Sequence, residues 1–252
     1  MALELARTLE QGWQTHAKNL RNAAVADDRI REHVRIVAGP QPYDHGHFAG
    51  DRFFRFDSAT GTATNVYGQR LLRVTENFLG SLQRTLVREL GDRAASVLYD
   101  IGFRWGEADI KAFAPRIERE YECAFEKLAM GVMLESWWWP FRATGWGVWR
   151  YDFNHTKSGL VLVELSDSAT AVAAGKSEKP QCHLYAGLFA ALFSHLAQRE
   201  LGCVELECAA NGDSQCRFLV AARKRIEAAT ADREGGATIE EIVTRLAEMA
   251  PV

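Results

Sequence analysis

The sequence predicts an α+β fold, in which N-terminal helices precede an antiparallel-sheet and helix domain with a zinc-clasped hairpin. Three observations predict it. Apolar residues recur at helical spacing through much of the first half, as in Leu71, Leu72, Phe78, Leu79, Leu82, Leu86 and Leu90. Two pairs of alternating segments in the second half read as antiparallel hairpins. Four of the five cysteines, Cys182, Cys203, Cys208 and Cys216, crowd into one expected helix and the hairpin after it.

Composition bounds the function. The chain has 252 residues, 47% of them hydrophobic, which suits one large domain or two small ones. Its net charge of -3, from 30 basic and 33 acidic residues, gives no electrostatic reason to expect nucleic acid or an anionic membrane as a direct partner. The compact basic run Arg223-Lys224-Arg225 reads as a solvated helix start. Glu4 and Arg7 interrupt what a signal peptide would need as an unbroken apolar run, and the apolar stretch from Tyr185 to Phe193 is too short to span a bilayer. A cytoplasmic location is therefore expected. Thiols stay reduced there, and clustered cysteines point to metal rather than to disulfides.

Taken in order, residues Leu3 to Ala24 predict an amphipathic helix through Leu5, Leu9, Trp13, His16 and Leu20, with a second short helix from Asp28 to about Val37. Gly39-Pro40-Gln41-Pro42 then breaks the chain into a polar loop that reaches Thr62. Within it, Asp44-His45-Gly46-His47 reads as a solvated turn, because no further ligand-like group is nearby in sequence. A helix from Gln69 to Leu90 ends at Gly91, and another runs from Asp92 past Trp105, with Gly102 and Gly106 four apart for close helix packing. Pro115 is expected to start a third helix through Ile117, Tyr121, Phe125, Leu128 and Val132.

The span Glu135–Phe153 holds five of the seven tryptophans. It reads as an aromatic hairpin whose alternating Trp149, Tyr151 and Phe153 pair with Leu160–Leu165 across an Asn154-to-Gly159 turn. Trp couples a large apolar surface to one N–H donor, which suits a pocket for an aromatic or polycyclic molecule; plain core or a dimer surface is the alternative. After a small-residue segment, Ser168 to Gly175, a helix is expected from Gln181 to Leu201. Cys203–Ala209 and Gln215–Val220 follow as strands around the turn Asn211-Gly212-Asp213. A charged helix, a loose Asp232–Gly236 linker and a final helix opened by the capping box Thr238-x-x-Glu241 complete the chain. The stripe Ile239, Ile242, Val243, Leu246, Met249 on that last helix is exposed unless it docks.

With a three-residue turn, Cys208 stands opposite Cys216, where Cβ atoms lie about 4.5–5.5 Å apart and two thiolates can share one metal. Cys182, at the start of the preceding helix, supplies a third sulfur, favoured by the helix N-terminus. The fourth ligand comes from Glu205 or Glu207. In an unbroken strand both point away from Cys208, so either demands a bulge or an approach from the strand end. Three thiolates, one carboxylate and zinc leave a charge near minus two, for which Arg217 and backbone amides are candidate compensators. Four protein ligands leave no open position, so such a site is structural rather than catalytic.

At these residues the sequence resembles the 4-vinyl reductase domain family. The resemblance is carried by GCVELECAANGDSQCRF, with Gly202, Glu205, Cys208, Ala210, Gly212, Cys216 and Phe218, and by the upstream Pro180-x-Cys182. Further upstream, Tyr67-Gly-Gln-Arg70, LVRELG at 86–91 and Gly102-Phe-x-x-Gly106-x-x-Asp109 resemble the aromatic-sensing region of phenol- and xylene-responsive transcription activators. The similarity covers roughly residues 61–220. It implies a zinc-stabilised, usually dimeric domain that encloses a hydrophobic ligand, with Cys182, Glu205, Cys208 and Cys216 as ligands, and it selects Glu205 over Glu207. The activators continue into an ATPase and a DNA-binding segment, and neither is expected here. The helix after Cys182 also departs from their Gly-Tyr-Ala-Ser-rich pattern, so phenol specificity is not carried over.

The resulting expectation is a homodimeric, zinc-containing sensor or carrier of a small hydrophobic or aromatic molecule, not an enzyme. Residues 1–60 would form an arm and loop suited to dimerisation, 61–222 the ligand-binding domain and 223–252 a linker and helix. Trp137, Trp138, Trp139, Phe141, Trp146, Trp149, Tyr185 and Phe189 are the expected ligand-binding residues. The alternatives are an accessory or catalytic role in tetrapyrrole vinyl reduction, for which no strand-linked G-x-G-x-x-G offers a nucleotide site, and a pure interaction module.

Overall fold

The computed structural model describes residues 54–65, 68–121, 124–128 and 130–249. The helices expected between Leu3 and Val37, the Asp44–His47 turn and Cys123 lie outside them. In chain order the elements are β1 (Phe54–Asp57), β2 (Thr62–Asn65), β3 (Arg70–Leu71), α1 (Glu76–Leu90), α2 (Arg93–Tyr121), α3 (Met130–Ala143), β4 (Val148–Asp152), β5 (Val161–Ser166), α4 (Ala169–Ala174), α5 (His183–Ala197), β6 (Gly202–Glu207), β7 (Cys216–Ala221), α6 (Arg223–Glu234) and α7 (Ile239–Glu248). Helices and antiparallel sheets combine in an α+β fold, as the periodicities predict. No helix among the described residues is long and apolar enough to cross a membrane.

The chain divides into two compact units, and the described residues 75–114 and 145–249 form the first. Its sheet has the order β4-β5-β7-β6, antiparallel throughout. The two expected hairpins are both present. β4 and β5 join through a 3-10 turn closed by Gly159 in the left-handed conformation, while β6 and β7 join through a 3-10 turn ending at left-handed Gly212. In β6 the register slips: Glu205 faces Phe218, Glu207 faces Arg217, and the residue between them is the extra one of a bulge.

Helix α5 is the centre of this unit. Residues Leu184–Phe193 are all buried, because the helix is apolar on every side rather than along a stripe. Towards the sheet, Phe189 meets Trp149 and Phe218 edge to face, with ring centroids 5.3 and 5.1 Å apart. Towards α2, backbones touch. A Cβ on Gly102 would overlap the Leu184 carbonyl, one on Gly187 would overlap the Tyr99 carbonyl, and one on Gly106 would lie 2.8 Å from Ala191 Cβ. The close packing expected of Gly102 and Gly106 thus has a third glycine, Gly187, on the partner helix.

The opposite face of the sheet is covered by α6 and α7. Ile239, Ile242, Val243 and Leu246 dock with Ala229 onto Leu160, Leu162, Leu206 and Leu219, so the last helix is not left exposed. Its capping box forms as the sequence predicts, Thr238 and Glu241 each accepting the other's backbone N–H. The basic run at 223–225 is solvated only in part. Arg223 and Lys224 are exposed, whereas Arg225 is buried and donates to the carbonyls of Ser158 and Met249, tying the β4–β5 turn to the end of α7.

The second unit comprises the described residues 54–74 and 115–144. It holds the small sheet β1-β2-β3, the end of α2 and helix α3, with Phe54 stacked on Trp139 at 6.3 Å. Three expectations are corrected in and around it. Residues 54–62, read as part of a polar loop, form strand β1 and its turn into β2. Pro115 does not start a helix but sits inside α2, whose buried row Ile110, Phe113, Ile117 continues through it. Trp137, Trp138, Trp139 and Phe141 are not on the aromatic hairpin; they lie on α3, where i, i+1 and i+4 positions share one helix and Trp137 packs on Phe141 at 5.3 Å.

Two further boundaries differ in the first unit. Ser168 caps a six-residue helix, α4, in the segment read as irregular, and α5 ends at Ala197 because Gln198 turns left-handed, short of the expected Leu201.

The α2–α5 crossing yields a prediction. Gly187→Ala should destabilise the fold by roughly 1–3 kcal/mol, since the new methyl has backbone rather than a yielding side chain in its way. A thermal melt checks it; an unchanged melting temperature would show that the helices separate freely.

Candidate metal centre

The four donors arrive from three places in the first unit. Cys182 is the N-cap of α5, Glu205 sits at the bulge in β6, Cys208 begins the 3-10 turn after β6, and Cys216 opens β7. The bulge answers the alternation problem posed by the sequence: one extra residue turns Glu205 to the side on which Cys208 and Cys216 stand. One ligand atom from each of the four residues lies within 4.8 Å of the others. All four are buried, the three cysteines at 0% exposure and Glu205 at 2%.

Local hydrogen bonds hold the corner. Cys182 N–H donates to Glu205 Oε2 at 2.8 Å, so the first turn of α5 grips the carboxylate directly. Ala209 N–H donates to Cys216 Sγ at 3.4 Å, and Cys208 N–H donates to Asp213 Oδ2 at 2.8 Å, which fixes the turn. Ser168 Oγ lies 3.2 Å from Cys182 Sγ while accepting from Ala171 N–H. The Cys182 and Cys216 sulfurs are 3.6 Å apart, and Glu205 Oε1 is buried with no hydrogen-bond partner.

These features fit a metal ion. Two sulfurs about 2.3 Å from one tetrahedral ion are separated by roughly 3.8 Å, close to the spacing here. A buried carboxylate oxygen without a donor is costly unless something positive meets it. Among the protein groups alone, burial pushes the Cys182 thiol well up, and burial with the neighbouring Cys208 charge pushes the Glu205 carboxyl up to about 8. Hydrogen bonds from Cys182 and Cys216 hold Cys208 below the usual thiol range. The corner strains to carry more than one negative charge, which is the electrostatic signature of a cation site. The buried Cys3Glu group can therefore hold a metal ion.

Backbone amides face the donors as expected, but Arg217 does not. Its guanidinium reaches Glu164 and Glu207 at 3.5 and 3.4 Å, and Glu207 is spent on that pair instead of the cluster. Three contributors were not singled out from sequence: Ser168, Asp213 beyond its turn role, and Gln83. The last is buried in α1 and donates from Nε2 to the Gln181 carbonyl at 2.9 Å, next to Cys182. Nothing in local spacing ties Gln83 to a residue 98 positions away; only the β6–β7 turn signal could have flagged Asp213.

Of the expected ligand-binding aromatics, Trp146, Trp149, Tyr185 and Phe189 are brought together around α5. Tyr185 lies one turn beyond Cys182, donates its hydroxyl to the Trp146 carbonyl, and meets Trp149 edge to face at 6.0 Å. Trp146, half-buried, also packs on Trp105 at 5.0 Å. Trp137, Trp138, Trp139 and Phe141 belong to the second unit.

Fold and corner together define an α+β protein whose central helix and terminal hairpin converge on three thiols and a carboxylate. Residues 161–222 match the family model of the 4-vinyl reductase domain, the family that the hairpin motif resembles, and the chain carries that domain with all four donors inside it. Among solved structures, the chain is similar to the phenol-responsive sensory domain of the transcription activator PoxR with phenol. Identity there is 22%, the alignment covers 79% of this chain and 94% of that one, and the TM-score is 0.53. It is also similar to a vinyl-4-reductase family protein from Methanocaldococcus jannaschii, at 16% identity, 60% and 82% coverage and a TM-score of 0.40. The first likeness establishes a shared fold. No curated protein sequence matches the chain.

Burial sets a direct expectation for the thiols. Alkylation of the native protein, mapped by peptide mass spectrometry, should leave Cys182, Cys203, Cys208 and Cys216 unmodified until denaturant is added, since all four are buried. Rapid labelling of Cys208 or Cys216 would mean that the corner opens in solution.

Proposed function

We propose that this protein is a zinc-clasped binding domain for a small aromatic or hydrophobic molecule, serving as a sensor or carrier. The observation that carries the reading is the convergence of four buried donor atoms within 4.8 Å at the foot of a helix whose next turns build an aromatic wall. Three soft sulfurs and one carboxylate favour zinc over magnesium or calcium, which prefer oxygen shells. Cys182, Glu205, Cys208 and Cys216 would hold it. Zinc so ligated supplies cross-linking and charge neutralisation rather than Lewis-acid chemistry, since the protein fills its shell.

The recognition half of the reading rests on Trp146, Trp149, Tyr185 and Phe189. Flat, polarisable rings edge to face around α5 offer dispersion contacts to another ring, and a tryptophan N–H offers one oriented donor. The shared fold with a sensory domain solved with phenol supports an aromatic ligand class. Because Tyr185 lies one turn from Cys182 and holds the Trp146 carbonyl, a ligand that moves Trp146 would act on the helix that starts at the clasp. Trp137, Trp138, Trp139 and Phe141 are proposed as additional ligand contacts, and a homodimer in the cytoplasm as the working assembly.

Two measurements test this. Purified protein should contain about one zinc per chain, and Cys208→Ala or Glu205→Ala should lose it or bind it at least about tenfold more weakly, with a lowered melting temperature; full zinc in Glu205→Ala would remove that residue from the shell. In a screen of phenols, larger aromatics and tetrapyrroles, at least one compound should shift tryptophan emission and raise the melting temperature, and Trp146→Ala should weaken the response. If no compound does either, the ligand-binding reading falls while the metal reading stands.

A further inference from the structure

The family model ends at residue 222, yet the backbone that presents Glu205 is gripped from beyond that point. β6 is an edge strand, so the carbonyls along its outer side have no strand partner, and the bulge at Glu205–Glu207 interrupts the ladder on its inner side. Arg233, in the last turn of α6, donates from Nη1 to the Glu205 carbonyl at 3.2 Å. A charged donor on a carbonyl is stronger than a neutral one, and this one falls on the residue whose side chain must leave the alternation of its strand.

The position of Arg233 is set by the last helix. Gly236 N–H donates to the Arg233 carbonyl at 2.9 Å and Ala237 N–H to the Asp232 carbonyl at 3.0 Å, which closes the α6–α7 turn. Asp232, the residue before Arg233, is ion-paired to Arg245 of α7. α7 in turn is docked on the sheet by its buried stripe. A chain of contacts therefore runs from the docking of α7, through the turn, to the carbonyl of one donor residue.

We infer that Arg233 is a positioning residue for the carboxylate ligand: it pins the β6 bulge that aims Glu205 into the metal corner, and so couples metal retention to the docking of α7. The inference rests on the reading of Cys182, Glu205, Cys208 and Cys216 as metal ligands. The guanidinium also brings a positive charge to the rim of a corner that would carry a net negative charge once metallated, a task the sequence had given to Arg217. The tie is to backbone, so a lysine can replace it in part, whereas an uncharged isostere such as methionine cannot.

Cobalt(II) bound to the full chain is the probe, because its visible d–d bands report the number and type of ligands while its thiolate charge-transfer band reports the sulfurs. Arg233→Met should keep the charge-transfer band, change the d–d bands towards those of Glu205→Gln, and speed metal loss to a chelator about tenfold. Arg233→Lys should recover most of both. Arg223→Gln, on the exposed start of the same helix, should match wild type. Should Arg233→Met misfold, Arg233→Lys still decides: its release rate must lie between wild type and Glu205→Gln. Wild-type d–d bands and release rates in the Arg233 variants would overturn the inference while leaving the metal site intact. A wild-type chain that binds no cobalt or zinc would overturn the metal reading, and the inference with it.

Discussion

Contact between the backbones of α2 and α5 is the constraint on which the first unit depends. Three glycines, Gly102 and Gly106 on one helix and Gly187 on the other, remove the side chains that would hold the axes apart. α5 thereby sits deep enough for its far side to meet the sheet through Phe189, Trp149 and Phe218. Because α5 is apolar all round, it gains from burial on both sides at once, and its N-terminus is delivered to the end of the β6–β7 hairpin. Cys182 reaches Glu205, Cys208 and Cys216 as a consequence of that placement.

The corner shows how a fold accommodates concentrated negative charge without a cluster of cations in contact. Amide N–H groups of Cys182 and Ala209 point at Glu205 and Cys216, the Ser168 hydroxyl touches Cys182, and Asp213 turns the Cys208 amide into a fixed point. The cationic candidate nearest in sequence, Arg217, is on the other face of its strand and is consumed by a cross-strand row with Glu164 and Glu207. Two-sided alternation explains both outcomes: Cys216 and Arg217 are neighbours, so they must face opposite ways. The sheet thus separates a charge ladder on one side from a thiol cluster on the other.

Much of this was legible before the fold was known. The spacing of Cys208 and Cys216 around a turn, with Cys182 opening a helix, placed three sulfurs together, and the period of two required a bulge before any glutamate could join them. The capping box at Thr238 and the stripe on the last helix were also plain, since each is set by residues within one or two turns. Local chemistry misled where tertiary packing overrode it. Pro115 ordinarily ends or begins a helix, yet α2 runs through it, and consecutive tryptophans from 137 to 139 suggested a strand where α3 forms.

The sequence by itself determined the donor set, the hairpins and the class of fold, because those follow from periodicity and from short-range turn and capping preferences. The tertiary structure alone decided which distant groups complete the corner. Gln83 holds the carbonyl before Cys182 across 98 positions, and Arg233 holds the Glu205 carbonyl across 28. No local pattern encodes either tie, since each depends on how whole helices pack, and a hydrogen bond to a carbonyl leaves no signature in the residue that accepts it. Burial likewise made Arg225 a structural strut and left Arg223 and Lys224 in solvent, although the three are consecutive in the chain.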